Sequence, residues 1–576
     1  MDFGKQRTAH TQPMNSSVSS EVVVVAPAQT SASSLSFLPT LGANQLLLLT
    51  VLYLVTTQNL SLFEAIVHSL PRPFGAQEWR ILASTVYALA TILVLAMAGL
   101  CLPRVQKPAL AIFVLISAVC SYFMESFGTV IDRAMIANAF NTDVHEASDL
   151  LSLAFFMHVL TQGVLPAWII ARLPLRFESF GVELRRRLAL VGIMLCGLLI
   201  ILFSQFSTLS FWGRENRSVR LYVNPTAPMY AMKEAVVDLL PKGPPPTLLS
   251  VAPDAVRVSN PTAKPLLIVL VVGETARAAN FGLNGYARNT TPRLSTTPGL
   301  INYPNFESCG TATLQSVPCM FSRLGQQEFS RKKASAEENL LDIVARTGVP
   351  TIWRDNNAGC MGVCVRTGSV SFESESDPKL CADGECHDDI LLKDFDAVMP
   401  KTAGSAHFLV LHQKGSHGPA YFKRYPESAR HFTPDCRNAS VQRCSREEVV
   451  NAYDNTIVYT DTMLADLIEQ LRAHQNSVDS VMLYVSDHGE SLGENGIYLH
   501  GLPRSLAPAE QTHVPMMAWF SAHAPAALKI DVSCVKALRT QPGSHDNLFD
   551  SILDLLSIRT AAYKPTQDLF ASCKKQ

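Results

Sequence analysis

The first third of the chain contains five apolar segments, and no other feature restricts its fold as much. The segments lie near residues 44–66, 81–102, 108–131, 149–171 and 188–211. Each is long enough to cross a bilayer core about 30 Å thick. We therefore predict an N-terminal α-helical transmembrane domain of five spans over residues 41–211, preceded by a disordered cytoplasmic N-terminus over residues 1–40. A cleavable signal peptide is not expected, because the first apolar run starts late and further spans follow it.

The charges between the spans predict their orientation. The link 172–187 contains five arginines, whereas the link 132–148 is acidic apart from Arg133. Since Lys and Arg favour cytoplasmic loops, the link 172–187 is predicted to be cytoplasmic, and five crossings put everything after residue 211 on the far side. The same charge asymmetry disfavours the alternative, in which these segments are buried core helices of a soluble protein.

Cysteine positions test this topology independently. Ten of the 13 cysteines lie beyond residue 300, and an even number predicts disulfides on an oxidising side of the membrane. Pairing of sequence neighbours predicts Cys309–Cys319, Cys360–Cys364, Cys381–Cys386 and Cys436–Cys444, which leaves Cys534 for Cys573. A thiolate zinc site is the alternative for Cys360/Cys364 and Cys381/Cys386.

The remainder divides into a linker and a second domain. Residues 212–264 are predicted to form a linker, with an amphipathic helix at Met229–Leu240 on the bilayer surface and a Pro-rich extended stretch after it. Residues 265–576 alternate strand-like and helix-like runs, which predicts an α/β domain with a mainly parallel sheet. The predicted strands are Leu266–Val272, Thr351–Arg354, His407–His412, Val481–Val485 and Met516–Phe520, and the predicted helices are Ala336–Thr347, Val449–Ala473 and Asp546–Leu556.

Groups able to bind a metal follow two of these strands. Glu274 comes after the first, and Asp487 and His488 come after the fourth. Ligands gather at the carboxyl ends of strands in such sheets, so we expect these side chains to meet. Thr313 lies between two cysteines in the Ser- and Thr-rich stretch Ser308–Cys319, and its hydroxyl becomes a nucleophile only beside a base or a metal. An imidazole among oxygen donors favours zinc, with manganese as the alternative.

These motifs together resemble the alkaline phosphatase and sulfatase superfamily, and more closely the lipid A phosphoethanolamine transferases associated with polymyxin and colistin resistance. The resemblance covers nearly the whole chain. It is carried by Gly273–Arg277, Cys309–Ser322, Trp353–Asn357, Gly415–Pro419, Ser486–Glu494 and Tyr498–Gly501.

The resemblance implies a role for each matching residue. Thr313 would be the nucleophile, and Glu274, Thr313, Asp487 and His488 would bind one tight zinc. The positions that the family uses for a second metal or the substrate phosphate would be Thr311, Asn357, His417 and His500. Asn138 and Glu146 would approach the phosphoethanolamine headgroup. Met361 stands near a position where some relatives carry a lysine, a loss for which Lys414 or a second metal would compensate.

The implied function is a zinc-dependent phosphotransfer at the bacterial inner membrane, with the catalytic domain in the periplasm. Phosphoethanolamine would move from phosphatidylethanolamine to a phosphate of lipid A through a phosphoethanolamine-threonine intermediate. The product would lower the negative charge of the cell surface and give polymyxin resistance. We expect a monomer that acts on membrane lipids and has no nucleic-acid partner. The alternatives are a phosphoethanolamine transferase that acts on a lipopolysaccharide core sugar or another glycan, a phosphoglycerol transferase, a sulfatase or hydrolase, and an inactive receptor.

Overall fold

A computed structural model describes residues 40–100, 102–141, 144–239, 248–372, 375–382 and 384–575. Residues 1–39 of the segment predicted to be disordered lie outside these residues, as do residues 240–247 of the predicted linker. The side chain of Glu146 is also outside the described part of the chain.

The N-terminal part of the chain is helical. Its helices are α1 (Ala43–Thr57), α2 (Leu60–Ser69), α3 (Ala76–Ala98), α4 (Gln106–Phe127), α5 (Arg133–Asn141), α6 (Val144–Leu150), α7 (Leu153–Val159), α8 (Leu165–Arg172), α9 (Phe180–Ser204), α10 (Phe206–Glu215) and α11 (Thr226–Leu239). A short π-helical segment, Leu160–Val164, joins α7 to α8. Helices α3, α4 and α9, and the continuous run Leu153–Arg172, are long and apolar enough to cross a membrane.

The first predicted span is not one straight helix. Helices α1 and α2 meet at an angle of 54° and count as a single span only if the bent pair crosses together, so the described residues contain four or five candidate spans. The side chain of Asn59 occupies the break, where its amide donates to the carbonyls of Leu54 and Asn224. The Leu54 carbonyl also keeps its helical bond from the Gln58 amide, so Asn59 adds a bond at the end of α1 and ties the break to Asn224.

Eight strands form one sheet in the C-terminal part. They are β1 (Leu266–Gly273), β2 (Ile301–Glu307), β3 (Thr351–Asp355), β4 (Gly368–Ser371), β5 (Ala406–His412), β6 (Asp479–Ser486), β7 (His513–Phe520) and β8 (Gly543–Ser544). Their spatial order is β8-β2-β7-β6-β1-β5-β3-β4. Only β7 runs antiparallel to the others, so the sheet is mixed but mostly parallel.

All five predicted strands belong to this sheet, but β2, β4 and β8 were not predicted. Strand β2 was missed because its sequence, INYPNFE, contains a proline and has little apolar run. Pro304 lies where the pairing of β2 with β7 shifts register, and a bulge is one of the few sites in a sheet that accept proline.

Both faces of the sheet are covered, so every residue of β1 and β6 is buried, and the middle of each strand is an unbroken apolar run. Alternate residues of β1 enter two separate cores, with Ile268 and Leu270 on one side and Leu267 and Val269 on the other. Helix α14 (Arg446–Ala473) packs on the second side, and α13 (Leu340–Arg346) and α16 (Asp546–Leu555) pack on the first. The two further helices of at least seven residues are α12 (Thr313–Met320) and α15 (Val532–Leu538).

Local capping sets the helix boundaries. The predicted helix at Ala336–Thr347 begins only at Leu340, because the Asn339 side chain accepts from the backbone of Leu341 and Asp342 and the Asp342 side chain accepts from the Asn339 amide. Helix α14 begins earlier than predicted, at Arg446, through the same kind of box between Ser445 and Glu448.

The C-terminal domain contains five disulfides with the predicted pairing: Cys309–Cys319, Cys360–Cys364, Cys381–Cys386, Cys436–Cys444 and Cys534–Cys573. The Cys360/Cys364 and Cys381/Cys386 pairs are therefore bridges and not thiolate zinc ligands. Among the described residues, Cys120 and Cys196 are free, and both lie in the helical region.

Candidate functional site

Two neighbouring strands bring the predicted metal-binding side chains together. Strands β1 and β6 are parallel, and Gly273 pairs with Ser486 at their carboxyl ends. The next residues, Glu274 after β1 and Asp487 with His488 after β6, therefore leave the sheet at the same edge. All three are fully buried and bring ligand atoms within 4.8 Å of one another, a group that could hold a metal ion.

Thr313 reaches this group from the first residue of helix α12. Its Oγ1 lies 3.2 Å from both carboxylate oxygens of Glu274 and 3.3 Å from Nε2 of His488. The Cys309–Cys319 bridge joins the loop before Thr313 to the helix after it. The hydroxyl is thus held over a carboxylate and an imidazole, at the positively polarised end of a helix.

The hydrogen bonds around His488 and Asp487 leave ligand atoms available. The Nδ1 atom of His488 is 2.9 Å from the carbonyl of Gly489, so Nδ1–H donates there and Nε2 faces the two carboxylates. Asp487 Oδ1 accepts from the amides of Thr275 and His488. Asp487 Oδ2 is buried and has no hydrogen-bond partner among the described residues. A buried, unsatisfied carboxylate oxygen beside an imidazole fits a metal ligand.

The pKa shifts indicate that this site attracts positive charge. Burial and the neighbouring Glu274 carboxylate raise the pKa of Asp487 to about 7. Burial disfavours the charged form of His488, but the carboxylates of Asp487 and Glu274 outweigh it and raise the pKa of His488 to about 10. Two carboxylates in a buried site need a proton or a cation between them, and a divalent metal satisfies both at once.

Asn357 positions the carboxylate of Glu274. Its side-chain amide donates to Glu274 Oε2 at 2.7 Å and to the carbonyl of Gln413 at 2.9 Å. Behind it lies a buried pair that the sequence analysis missed, His412 and Asp355, with Nδ1 to Oδ1 at 2.7 Å. His412 ends strand β5, so the rule that selected Glu274 and Asp487 from strand ends would also have selected His412.

The two other histidines predicted for the site lie beside the metal-binding group. The ring of His500 is 4.4 Å from that of His488, and the ring of His417 is 5.1 Å from that of His500. His500 Nδ1 lies 2.7 Å from Oε2 of the buried Glu490, whose Oε1 accepts from the Tyr421 hydroxyl at 2.7 Å. Neither Glu490 nor Tyr421 was predicted, because each belongs to the site only through His500.

Thr311 lies close by but uses its hydroxyl differently. Its Oγ1 donates to the carbonyl of Leu502 at 2.6 Å, and its own carbonyl accepts from the amide of Gly501. Thr311 thus ties the loop that carries His500 to the loop that carries Thr313.

A helix from the N-terminal region covers this site. The pocket above Thr313 is lined by Asn138 and Asn141 of α5 as well as by Asn357, Met361, His417 and His500. The predicted Asn138 therefore lies at the pocket. Lys414 is engaged elsewhere, because its ammonium lies 2.9 Å from Glu385.

Comparisons with known proteins agree with this architecture. The family model described as Sulfatase matches residues 267–558, and the one described as Phosphoethanolamine transferase EptA/EptB matches residues 89–239. The chain is 39% identical to phosphatidylethanolamine transferase Mcr-1 of Escherichia coli, over 81% of this chain and 87% of Mcr-1. It is 36% identical to phosphoethanolamine transferase EptA of Escherichia coli K12, over 93% of this chain and 98% of that protein.

Among solved structures, the chain is similar to the integral membrane protein lipooligosaccharide phosphoethanolamine transferase A of Neisseria meningitidis. The TM-score is 0.88 at 35% identity, and the match covers 93% of this chain and 100% of that one. The similarity therefore includes the helical region and the sheet domain in a single match.

Proposed function

Because this chain belongs to the EptA/EptB family of phosphoethanolamine transferases, we propose that it moves phosphoethanolamine from phosphatidylethanolamine to a phosphate of lipid A. Thr313 is the residue that carries the group. The observation behind this assignment is the position of its hydroxyl, 3.2 Å from Glu274 and 3.3 Å from His488 in the pocket under α5.

Glu274, Asp487, His488 and Thr313 would hold a zinc ion. The unsatisfied Asp487 Oδ2 and the His488 Nε2 that faces the two carboxylates support this, and an imidazole among oxygen donors favours zinc over manganese. Bound zinc would lower the pKa of the Thr313 hydroxyl and offset the negative charge of the donor phosphate. A second zinc near His417 and His500 belongs to the same proposal.

The chain itself supplies the nucleophile and its surroundings. Thr313 Oγ1 attacks the donor phosphorus, the bond from phosphorus to the diacylglycerol oxygen breaks, and phosphoethanolamine remains on Thr313. The first turn of α12 favours the phosphate because backbone N–H groups and the helix dipole point at it. A lipid A phosphate oxygen then attacks the same phosphorus and releases Thr313.

His500 would handle the protons of these steps, a role that its contact with Glu490 and its position in the pocket support. Glu490 holds its Nδ1, so Nε2 is the atom left to take the Thr313 proton and return one to the departing oxygen. Tyr421 fixes the other oxygen of Glu490 and so limits the motion of the pair. His417 lines the same pocket and can assist the second step.

The membrane location belongs to the proposal as well. Five spans, with the bent α1–α2 pair as the first, put the sheet domain on the side opposite the arginine-rich link 172–187. The five disulfides support an oxidising periplasm. Both lipids are then available at the outer face of the inner membrane, where Asn138 and the side chain of Glu146 would meet the donor headgroup.

Trapping of the covalent intermediate tests the mechanism. Full-length protein incubated with phosphatidylethanolamine and no acceptor should gain one phosphoethanolamine, mapped by mass spectrometry to the peptide between Cys309 and Cys319. Thr313→Ala should abolish this adduct, and Thr313→Ser should retain part of it because the hydroxyl remains.

The same peptide contains a matched control. Thr311 also carries a hydroxyl, but that hydroxyl donates a hydrogen bond to the carbonyl of Leu502 and does not face Glu274. Thr311→Ser should therefore leave the adduct on residue 313. An adduct that persists in Thr313→Ala, or single-turnover transfer without any adduct, would contradict a threonine intermediate.

The acceptor is tested separately. Lipid A from cells that express the wild-type protein should gain phosphoethanolamine, whereas lipid A from cells with Thr313→Ala should not. Unmodified lipid A beside a modified core oligosaccharide would instead support the glycan-directed alternative.

A further inference from the structure

A short segment of the sheet domain, Tyr421–Arg424, contacts His417 directly and is linked to His500 through Glu490. The Tyr421 hydroxyl donates to Glu490, which in turn holds His500. The Nε atom of Arg424 donates to the backbone carbonyl of His417 at 3.0 Å. Any shift of this segment would therefore move His417 and His500 relative to Thr313.

The same segment is bound to the helical region by charge. Asp149 lies on α6, between α5, which covers the pocket, and α7. Its Oδ1 is 2.5 Å from the ammonium of Lys423, and its Oδ2 is 3.7 Å from Nη2 of Arg424. The side chains of Asp149 and Arg424 are 7% and 2% exposed, so this ion pair is shielded from water and from salt.

Arg424 has a second anionic partner on the sheet domain. Its Nη1 donates to Glu385 at 3.0 Å, and Lys414 binds the same carboxylate oxygen at 2.9 Å. Three cations, Lys414, Lys423 and Arg424, thus face the two carboxylates Glu385 and Asp149. Without Asp149 the excess of positive charge in the cluster would rise from one to two, which is costly where the groups are buried.

The helical region and the sheet domain are also in close contact through uncharged groups. A Cβ on Gly128, at the end of α4, would lie 2.7 Å from the carbonyl oxygen of Gly496, so the two backbones are in direct contact. Tyr122 and Phe155 of the helical region share one hydrophobic core with Tyr421. The charged contact therefore lies within a packed interface.

We propose that Asp149 is a positioning residue: by pairing with Lys423 and Arg424 it sets helix α5 and the two pocket histidines in register over Thr313. This inference rests on the proposed transfer reaction but concerns residues outside the metal-binding group. Catalysis by positioning is sensitive to displacements of about 1 Å, which can cost up to a hundredfold in rate.

The test uses the full-length protein in nanodiscs that contain phosphatidylethanolamine. Asp149→Asn removes the charge at constant shape and should lower kcat for adduct formation about tenfold, with a smaller change in KM for the donor. Asp149→Glu should recover much of the loss, because it restores a carboxylate between Lys423 and Arg424. Zinc content should match the wild type, and Asp149→Asn should remain folded at the assay temperature although it unfolds at a lower temperature, because the pair it breaks is buried.

A second measurement tests whether Asp149 holds α5 on the sheet domain. Amide hydrogen exchange in α5 should be faster in Asp149→Asn than in the wild type, because the helix loses an anchor. The matched control is Asp466→Asn, since Asp466 pairs with Arg293 on the sheet domain. It should change neither kcat nor exchange in α5.

The outcomes are separable. A wild-type kcat with unchanged exchange in Asp149→Asn overturns the inference. A lower kcat accompanied by loss of zinc, or by unfolding at the assay temperature, also overturns it, since Asp149 would then be only structural. A rise in KM alone overturns it as well, because the residue would then act in donor capture. Absence of adduct in the wild type would reject the proposed transfer, while hydrogen exchange would still decide whether Asp149 docks α5.

Discussion

The helical region and the sheet domain use the same apolar residue types in opposite ways. On α9, Leu199, Ile200 and Phe203 are 50%, 68% and 81% exposed, whereas every residue of strand β1 is buried. Apolar surface is stable outside only where the surroundings are themselves apolar. The apolar residues of the helical region therefore suit a lipid environment, whereas those of the sheet domain are buried away from water.

Cysteine chemistry divides the molecule along the same line. The described cysteines of the helical region are free, and the ten of the sheet domain form five bridges. Each bridge restricts the unfolded chain, which stabilises the folded sheet domain, and bridges of this kind persist in an oxidising compartment such as the periplasm proposed for it.

The largest expected effect is the loss of all five bridges. At roughly 2 kcal/mol each they approach the whole stability of a typical domain, about 5–15 kcal/mol. The sheet domain expressed in a reducing cytoplasm should therefore be misfolded or inactive. Alkylation measures its free thiols, and the gain of phosphoethanolamine on Thr313 measures its activity.

The helical region supplies the control for that experiment. Replacement of Cys120 and Cys196 by serine should leave periplasmic activity intact. Full activity of a domain whose thiols are shown to be free would contradict the assignment of structural disulfides.

The next effect in size concerns the metal-binding edge of the sheet. Asp487→Asn should lower zinc content and reduce transfer by about a thousandfold or more, since a neutral amide is a poor ligand and only one of the two carboxylates that face the metal remains. Elemental analysis and the adduct assay measure the two losses.

Strand β6 offers a matched control at its other end. Asp479 begins this strand, on the edge of the sheet away from Thr313, so Asp479→Asn should keep zinc and activity. Retention of full zinc by Asp487→Asn would reject the proposed ligand set.

The smallest expected effect is the loss of stability when one leucine is shortened to alanine, and it should differ between the sheet domain and the helical region. Leu483→Ala, in the buried strand β6, should cost about 2–5 kcal/mol because it leaves a cavity. Leu199→Ala, on the exposed face of α9, should change stability by less than about 1 kcal/mol in a bilayer, because lipid replaces the lost contacts. Thermal unfolding in nanodiscs compares the two, and equal losses would show that α9 faces protein.

Sequence alone went furthest where the pattern is local. The apolar runs predicted β1 and β6, and the residues that follow these runs predicted Glu274, Asp487 and His488 as metal-binding groups. The spacing of the cysteines predicted all five bridges. Parallel neighbouring strands bring their carboxyl ends together, so a local rule was enough to assemble these three side chains. The predicted start of α13 at Ala336 was wrong, although the capping box between Asn339 and Asp342 that sets the start at Leu340 is present in the sequence.

Only the tertiary structure decided which distant groups meet. The 54° break between α1 and α2 depends on Asn59 reaching Asn224, and the antiparallel direction of β7 depends on its pairing with β6. The hydroxyls of Thr311 and Thr313 are two residues apart, yet one binds Leu502 and the other faces Glu274. Asp149 joins Lys423 only after the helical region has docked on the sheet domain. Sequence determines each residue's chemistry and local geometry, but contacts across hundreds of residues depend on how whole layers pack, and no local pattern contains that information.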